Sequence, residues 1–234
     1  MPTISRAYHA HGGNYTPGGN SCRYIVVHNT GNTAGARAEA AYAQNDQHPS
    51  SYHYVLDGGG TVYQILDDTD TAWAVGAWRG ARQLIGNGES VSIEVCSNGT
   101  PFTADEIAEL HWLVRLLMER HGIPAERVVR HYDCHTGHKD CPAAYVDNGR
   151  WETLREIITA DFQPDEGEET MDIIVNPKGR GYMAWLHGDR PHTFAKPAEV
   201  TAVKNIYKAA TGKDMPAVVV SATDYDNFVS VCKR

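Results

Sequence analysis

The spacing of apolar and polar positions in the first two-thirds of the chain predicts several strands. Residues 24–27 form a continuous apolar run suited to a buried strand that ends at His28. Residues 90–96, SVSIEVC, alternate between polar and apolar, which predicts a strand with one polar face. The segments YHYVLD and TVYQIL flank three glycines at 58–60, a pattern that predicts a β-hairpin.

Helical patterns alternate with these strands. Residues 34–47 are rich in alanine and predict a helix. Thr103 and Glu106 form a capping box, and the apolar spacing that follows predicts a helix ending at Gly122. A short strand, RVVRH, and a last helix around residues 151–158 follow. The predicted fold class is therefore α/β, with a central mixed sheet flanked by helices.

A change in charge divides the chain. Residues 161–170 carry five acids and no base, and they contain Pro164 and Gly167, which predicts an acidic linker. We therefore expect one domain over residues 1–160 and a second over 171–234. In the second, two short strands surround residues 177–181, and a helix beginning at Pro197, a further strand and a last short helix follow. This pattern predicts a small α+β domain.

Composition excludes several classes of function. The net charge of −8 disfavours nucleic-acid binding, and no apolar run reaches the roughly 20 residues of a membrane helix. The first residues lack the apolar core of a secretory signal peptide, so we expect synthesis in the cytoplasm. Five scattered cysteines favour reduced thiols or a metal site over a disulfide framework. The sequence leaves the oligomeric state open.

The densest chemical signal is the segment RHYDCHTGHKDCP at residues 130–142. Zinc favours histidine nitrogen and cysteine thiolate, and a catalytic site uses three protein ligands and a water. His131 follows a predicted strand and Cys141 lies in a loop, so both could reach one pocket, with His28 as the third ligand. An alternative is a compact local zinc site, formed by a set of residues within the segment: Cys134, His135, His138 and Cys141.

Five segments together resemble a known family. YIVVHNT, YHYVLDGGGTVYQ, AWAVGAW, SVSIEVC and VVRHYD…HKDCP occur in order over residues 22–145. In this order they resemble the zinc-dependent N-acetylmuramoyl-L-alanine amidases of type 2, a family that includes phage lysozyme-type amidases and peptidoglycan recognition proteins. The resemblance implies that zinc is held by His28, His131 and Cys141. It also implies catalytic roles for Glu94 and Lys139, and a place for Tyr52 in the active site.

The resemblance implies a biological role as well. The expected substrate is bacterial peptidoglycan, cleaved between N-acetylmuramic acid and L-alanine. A second domain after a linker is typical of a modular phage or prophage endolysin, which is made in the host cytoplasm and acts on the wall after release. Residues 171–234 are then expected to bind the wall, with a secondary wall polymer as a candidate ligand and Tyr182, Trp185 and Phe194 as candidate contacts.

Three other hypotheses about the function stay open at this point. One is a peptidoglycan-binding protein without catalysis, which would be indicated by loss of a zinc ligand. Another is a bacterial wall-recycling or autolytic amidase, which gives no reason for a second domain. The third is a cysteine peptidase that uses Cys141 or Cys96, although neither cysteine opens a predicted helix, where thiolates are usually activated.

Overall fold

The computed structural model describes residues 1–45, 49–76, 80–161, 172–187, 190–194 and 197–232. The chain divides into two compact units, Met1–Thr159 and Ala160–Arg234. The predicted acidic linker, residues 161–170, lies outside the described residues except for Asp161, so the predicted domain boundaries stay a prediction. No helix in the described part of the chain is long and apolar enough to cross a membrane.

The first unit is a mixed α/β structure, as the sequence predicts. Its strands are β1 (Thr3–Ser5), β2 (Tyr15–Gly19), β3 (Tyr24–Asn29), β4 (Tyr54–Leu56), β5 (Thr61–Gln64), β6 (Asp70–Ala72), β7 (Ser90–Val95) and β8 (Val128–Arg130). Its helices are α1 (Ala36–Tyr42), α2 (Ala104–His121) and α3 (Asn148–Thr159). Six strands form one sheet in the order β1-β5-β4-β7-β3-β8, and β2 pairs with β6.

The register of three neighbouring parallel strands positions the site. Strand β3 lies between β7 and β8 and runs parallel to both. His28 on β3 pairs with Glu94 on β7, and Val27 pairs with Arg130, the last residue of β8. His131, which follows directly, therefore arrives beside His28. Polar residues from three distant parts of the sequence thus meet at the carboxyl ends of the strands, where open α/β sheets bind ligands.

Strand β7 forms as predicted, but two of its polar side chains are buried. Ser90 and Ser92 are only 1% exposed, so the polar positions of this strand do not face solvent. The strand is central in the sheet, and both of its faces are covered. The sequence pattern does not reveal this burial, because alternation of polar and apolar residues usually indicates that the polar face meets water.

The helices follow their sequence signals with one correction. Helix α2 begins with the predicted capping box of Thr103 and Glu106, and Gly122 ends it in a left-handed conformation with φ of 64°. Helix α1 is shorter than the predicted 34–47. Gly35 is extended and precedes its first residue, and Ala43 follows its last. The C-terminal end of that prediction, residues 46 and 47, lies outside the described residues.

The second unit is α+β, as predicted. It contains β9 (Asp172–Pro177), β10 (Met183–His187), β11 (Arg190–Phe194), α4 (Pro197–Thr211), β12 (Ala217–Val220) and α5 (Ala222–Cys232). The sheet order is β11-β10-β9-β12, with β12 parallel to β9 and the other pairs antiparallel. Strand β11 was not predicted, because RPHTF has no clear alternation and contains a proline.

Candidate metal centre and its cavity

Two histidines and a cysteine converge at the carboxyl ends of β3 and β8. The Nδ1 atoms of His28 and His131 lie 3.1 Å apart, and the Sγ atom of Cys141 lies 3.8 Å from His28 Nδ1. The ligand atoms of all three residues lie within 4.8 Å of one another. The three side chains are at most 6% exposed. The predicted ligand residues are therefore brought together in the fold.

The loop that carries Cys141 is tied to the strand ends. The N–H of Tyr132 donates to the carbonyl of Cys141 at 2.8 Å. The N–H of Ala143 donates to Oδ1 of Asn29, the residue after His28, at 2.6 Å. These hydrogen bonds join the cysteine end of the loop to the residue after His131 and to the end of β3. The sulfur is held near the imidazoles by backbone geometry.

Arg130 is a structural residue of the site that the sequence did not reveal. Its guanidinium is almost fully buried and makes a bidentate ion pair with Asp133, at 2.9 and 2.8 Å. It also donates to the carbonyls of Tyr145 and Val146 and lies over the ring of Tyr132. One buried cation therefore fixes the chain on both sides of the ligand loop, a use to which the planar guanidinium is suited.

Burial sets the protonation of these ligands. Burial, aided by the charges of His131 and Lys139, holds the pKa of His28 well below its usual range. Burial also lowers the pKa of His131 to about 3. Both imidazoles are therefore neutral and can offer a lone pair. Burial raises the pKa of Cys141 to about 12, against the opposing N–H of Asn29, so the thiol needs a cation beside it to ionise.

The geometry fits a tetrahedral metal ion. Zinc bonds nitrogen at about 2.0–2.1 Å and sulfur at about 2.3 Å, so neighbouring ligand atoms of a tetrahedron are roughly 3.3–3.6 Å apart. Two of the three separations, 3.1 and 3.8 Å, bracket that range, and the third is at most 4.8 Å. The Nδ1 atoms of the two histidines approach each other, and their Nε2 atoms are buried without a partner in the described structure. The donor set suits zinc in charge and softness.

The local zinc site within residues 134–141 is not assembled. Cys134 is buried and its Sγ contacts the carbonyl of Arg130 at 3.4 Å. Nδ1 of His138 lies 3.0 Å from the carbonyl of Tyr132. His135 is fully buried, but its ring centre lies 5.5 Å from that of His131. Within the described chain, the clustered ligands are the two strand-end histidines and Cys141.

The cysteine peptidase reading is also disfavoured. Burial raises the pKa of the Cys96 thiol far above its usual value, and nearby Glu39 raises it further. Cys141 is likewise held protonated unless a cation is bound. A nucleophilic cysteine needs a lowered pKa, so neither thiol has the required environment.

A cavity of about 210 Å³ opens beside the ligand cluster. Glu94 and Lys139 line it together with His28, and Oε1 of Glu94 lies 3.9 Å from Nδ1 of His28. Burial raises the pKa of Glu94 to about 7, Lys139 opposes that shift, and Glu39 adds to it. Glu94 can thus exchange a proton near neutral pH, which a general base requires.

Tyr52 lies on the same cavity wall, as predicted, but its hydroxyl is engaged. It donates to the backbone carbonyl of Glu39 at 2.9 Å. Burial raises its pKa further above the ordinary value. Glu39 itself lines the cavity, and no sequence pattern had singled it out. Trp73 also lines the cavity and donates through Nε1 to Thr16 at 3.2 Å.

The aromatic residues expected to bind the wall have unequal positions in the second unit. Trp185 is 1% exposed and Phe194 is 3% exposed, so both belong to the core. The indole nitrogen of Trp185 donates to Asp172 at 3.0 Å. Tyr182 is half-buried and lines a cavity of about 390 Å³ with Arg180 and Asn176. As a predicted contact to a wall polymer, Trp185 is wrong, because its ring lies in the core, whereas Phe194 lines the cavity with Tyr182 and stays a predicted contact.

The fold and the site define an α/β protein with a candidate two-histidine, one-cysteine metal centre beside a carboxylate. Residues 18–144 match the family model of N-acetylmuramoyl-L-alanine amidase. The match spans more than half of the chain, so the chain belongs to this family, and the resemblance seen in the sequence is confirmed. The second unit lies outside the match.

Named relatives agree with this assignment. The N-acetylmuramoyl-L-alanine amidase XlyA of Bacillus subtilis is 34% identical over 138 residues, which are 58% of this chain and 43% of XlyA. CwlH of the same organism, another such amidase, is 33% identical over 61% of this chain and 56% of its own length. The chain thus spans about half the length of the curated relatives it matches.

Solved structures show the same fold. The catalytic domain of XlyA is 32% identical, with a TM-score of 0.55, and the match covers 67% of this chain and 99% of that domain. The structure of PlyL is 28% identical, with a TM-score of 0.57, and the match covers 68% of this chain and 98% of PlyL. The predicted α/β fold class is thereby confirmed.

Proposed function

We propose that this chain is a zinc-dependent amidase that hydrolyses the bond between N-acetylmuramic acid and L-alanine in peptidoglycan. The observation that carries the proposal is the convergence of His28, His131 and Cys141 beside Glu94 at one cavity. Retention of all three ligands disfavours a binding protein without catalysis. Family membership and the names of the relatives support the substrate and the bond cleaved.

The two histidines and the cysteine would hold the metal ion. A zinc ion there supplies Lewis acidity and lowers the pKa of water to near neutrality. Glu94 takes a proton from the attacking water and returns it to the leaving nitrogen of L-alanine. The ammonium of Lys139 stabilises the negative charge that develops on the carbonyl oxygen. Tyr52 completes the cavity wall and, through its bond to the carbonyl of Glu39, holds α1 against the cavity.

One assay tests the proposed reaction. Purified protein incubated with cell walls should release new L-alanine amino termini without new reducing sugar ends. A chelator should stop that release, and zinc should restore it. Release of reducing ends would indicate a glycosidase, and activity that is indifferent to the chelator would contradict the metal proposal. Wall binding without any cleavage would instead support a non-catalytic peptidoglycan-binding protein.

For residues 171–234 we propose attachment to the wall, with the whole chain acting as a phage or prophage endolysin. A solved structure of a mutant endolysin from Bacillus subtilis, 32% identical to this chain, supports the role as an endolysin. The cavity with Tyr182 and Arg180 is the candidate contact for an anionic, sugar-rich polymer. The full chain should sediment with walls, and Tyr182→Ala should lower the bound fraction several-fold while cleavage of soluble muramoyl peptides is unchanged. Equal sedimentation of both proteins would contradict this contact.

A further inference from the structure

Glu39 is a second carboxylate on the wall of the catalytic cavity, and the proposed reaction gives it no task. It lies on α1, is 8% exposed, and lines the cavity with Glu94 and Lys139. Its Oε1 accepts a hydrogen bond from Nδ2 of Asn32 at 2.7 Å. A carboxylate can accept about four hydrogen bonds, so one amide donor leaves much of its capacity available.

Keeping a charge at this position is costly for the fold. Burying a carboxylate is unfavourable unless donors replace the water that it loses. Glu39 also stands near a second acid, since its charge adds to the effect of burial in raising the pKa of Glu94. Two acids facing one cavity repel each other. The arrangement becomes favourable when a ligand in the cavity brings its own hydrogen-bond donors.

We propose that Glu39 binds the substrate, with Oε2, the oxygen that Asn32 does not contact, accepting a hydrogen bond from an amide N–H of the muramoyl peptide. The inference rests on the proposed amidase function for the identity of the ligand. Such a ligand carries amide N–H groups in two places, the acetamido group of the sugar and the backbone of the peptide. A carboxylate acceptor gives a charge-assisted hydrogen bond, which is stronger than a neutral one.

The substitution Glu39→Gln replaces the carboxylate by an amide of nearly the same volume. Asn32 donates to Oε1, so the amide oxygen of Gln stays with Asn32 and its NH2 group faces the cavity. An acceptor is thereby replaced by a donor. We expect KM to rise about ten- to a hundredfold, the range for a lost hydrogen bond to a charged group, with kcat within about threefold.

Two further variants separate binding from folding. Glu109→Gln removes another buried carboxylate, 3% exposed, which accepts from the N–H of Gly58 and is not among the residues lining the cavity. It should leave KM within about twofold. Asn32→Ala removes the anchor at an exposed position and should raise KM several-fold without unfolding the protein. Equal rises of KM in Glu39→Gln and Glu109→Gln would overturn the inference.

Calorimetry in a Glu94→Gln background measures binding while turnover is slowed about 10²–10³-fold. The ligands are an N-acetylmuramoyl peptide, its analogue with an O-acetyl ester in place of the acetamido group, and N-acetylmuramoyl-L-alanine alone. The ligand lacking the N–H that contacts Glu39 should bind more weakly than the complete ligand, and Glu39→Gln should abolish that difference. A Kd unchanged by Glu39→Gln for all three ligands would contradict the inference. Binding that depends on Glu39 in a protein that cleaves nothing would overturn only the amidase proposal.

Discussion

The two units place their chemistry-bearing side chains in different ways. In the first, His28, His131 and Cys141 are buried because the register of three parallel strands and one anchored loop turns them toward a common point. In the second, Trp185 and Phe194 are buried because they fill the core. Burial of polar ligand atoms around a shared point indicates function. Burial of an aromatic ring indicates packing.

The largest loss of activity should follow from the substitution Cys141→Ser. We expect loss of bound metal and a fall in activity of more than about 10³-fold, because the thiolate ligand and the metal's Lewis acidity are lost together. Metal content by mass spectrometry and release of L-alanine termini measure both effects. The matched control is Cys134→Ser, which should retain about one metal ion per chain. Loss of metal in the control as well would favour the local zinc site.

A second test concerns the carboxylate beside the metal centre. Glu94→Gln should lower kcat about 10²–10³-fold with metal content unchanged, because a general base is removed while the ligands stay. Wild-type kcat/KM should fall as the pH drops through the pKa of Glu94, which is about 7 and which a bound cation lowers. The variant should lose this acidic limb. Retention of the limb would assign the base to another group.

For the second unit, Trp185→Ala distinguishes packing from binding. We expect a loss of about 3–5 kcal/mol in the free energy of unfolding of this unit, the usual cost of truncating a buried tryptophan. Thermal unfolding of the full chain measures it, and cleavage of soluble muramoyl peptides should be unaffected. A loss of wall binding with less than about 1 kcal/mol of destabilisation would show that the ring contacts a ligand instead.

The smallest expected effect comes from a polar network in the first unit that lies apart from the cavity. Asp68 is buried and accepts hydrogen bonds from Tyr54, Arg120 and His121 at 2.5–2.8 Å. Asp68→Asn should lower the free energy of unfolding by about 2 kcal/mol, less than for a fully buried pair, because Arg120 is 38% exposed. Asp67→Asn is the control. Its ion pair with Arg6 is about two-thirds exposed, so the change should stay within about 0.5 kcal/mol.

The same network predicts a pH dependence. Burial alone would raise the pKa of Asp68, but the hydrogen bonds from Tyr54, His121 and Arg120 outweigh it and lower the pKa. A depressed carboxyl pKa stabilises the folded state above the unfolded value of about 3.9, and that contribution disappears as the pH falls through the folded pKa. The free energy of unfolding, measured with urea between pH 7 and pH 3, should therefore fall less with decreasing pH in Asp68→Asn than in the wild type. The same pH dependence in both proteins would contradict the network's role.

The sequence predicted the strand ends well and the cavity wall poorly. His28 and His131 each follow a run of apolar, β-branched residues, so their positions at strand ends were readable from local pattern. The place of Glu39 in the cavity wall could not be predicted from the sequence, because an acid in an alanine-rich helix is typical of a solvated face. Its burial depends on Asn32 and on the tertiary packing of α1 beside Tyr52. Arg130 was hidden for the same reason, since its partners lie at residues 133, 145 and 146.

The central claim is that two histidines and one cysteine hold a catalytic zinc ion. X-ray absorption at the zinc edge of the purified protein measures that ligand set directly. We expect one sulfur at about 2.3 Å and two imidazole nitrogens at about 2.0–2.1 Å, with water as the remaining light ligand. Two sulfurs bound to the metal, as Cys134 and Cys141 together would give, or no sulfur at all, would rule out this ligand set.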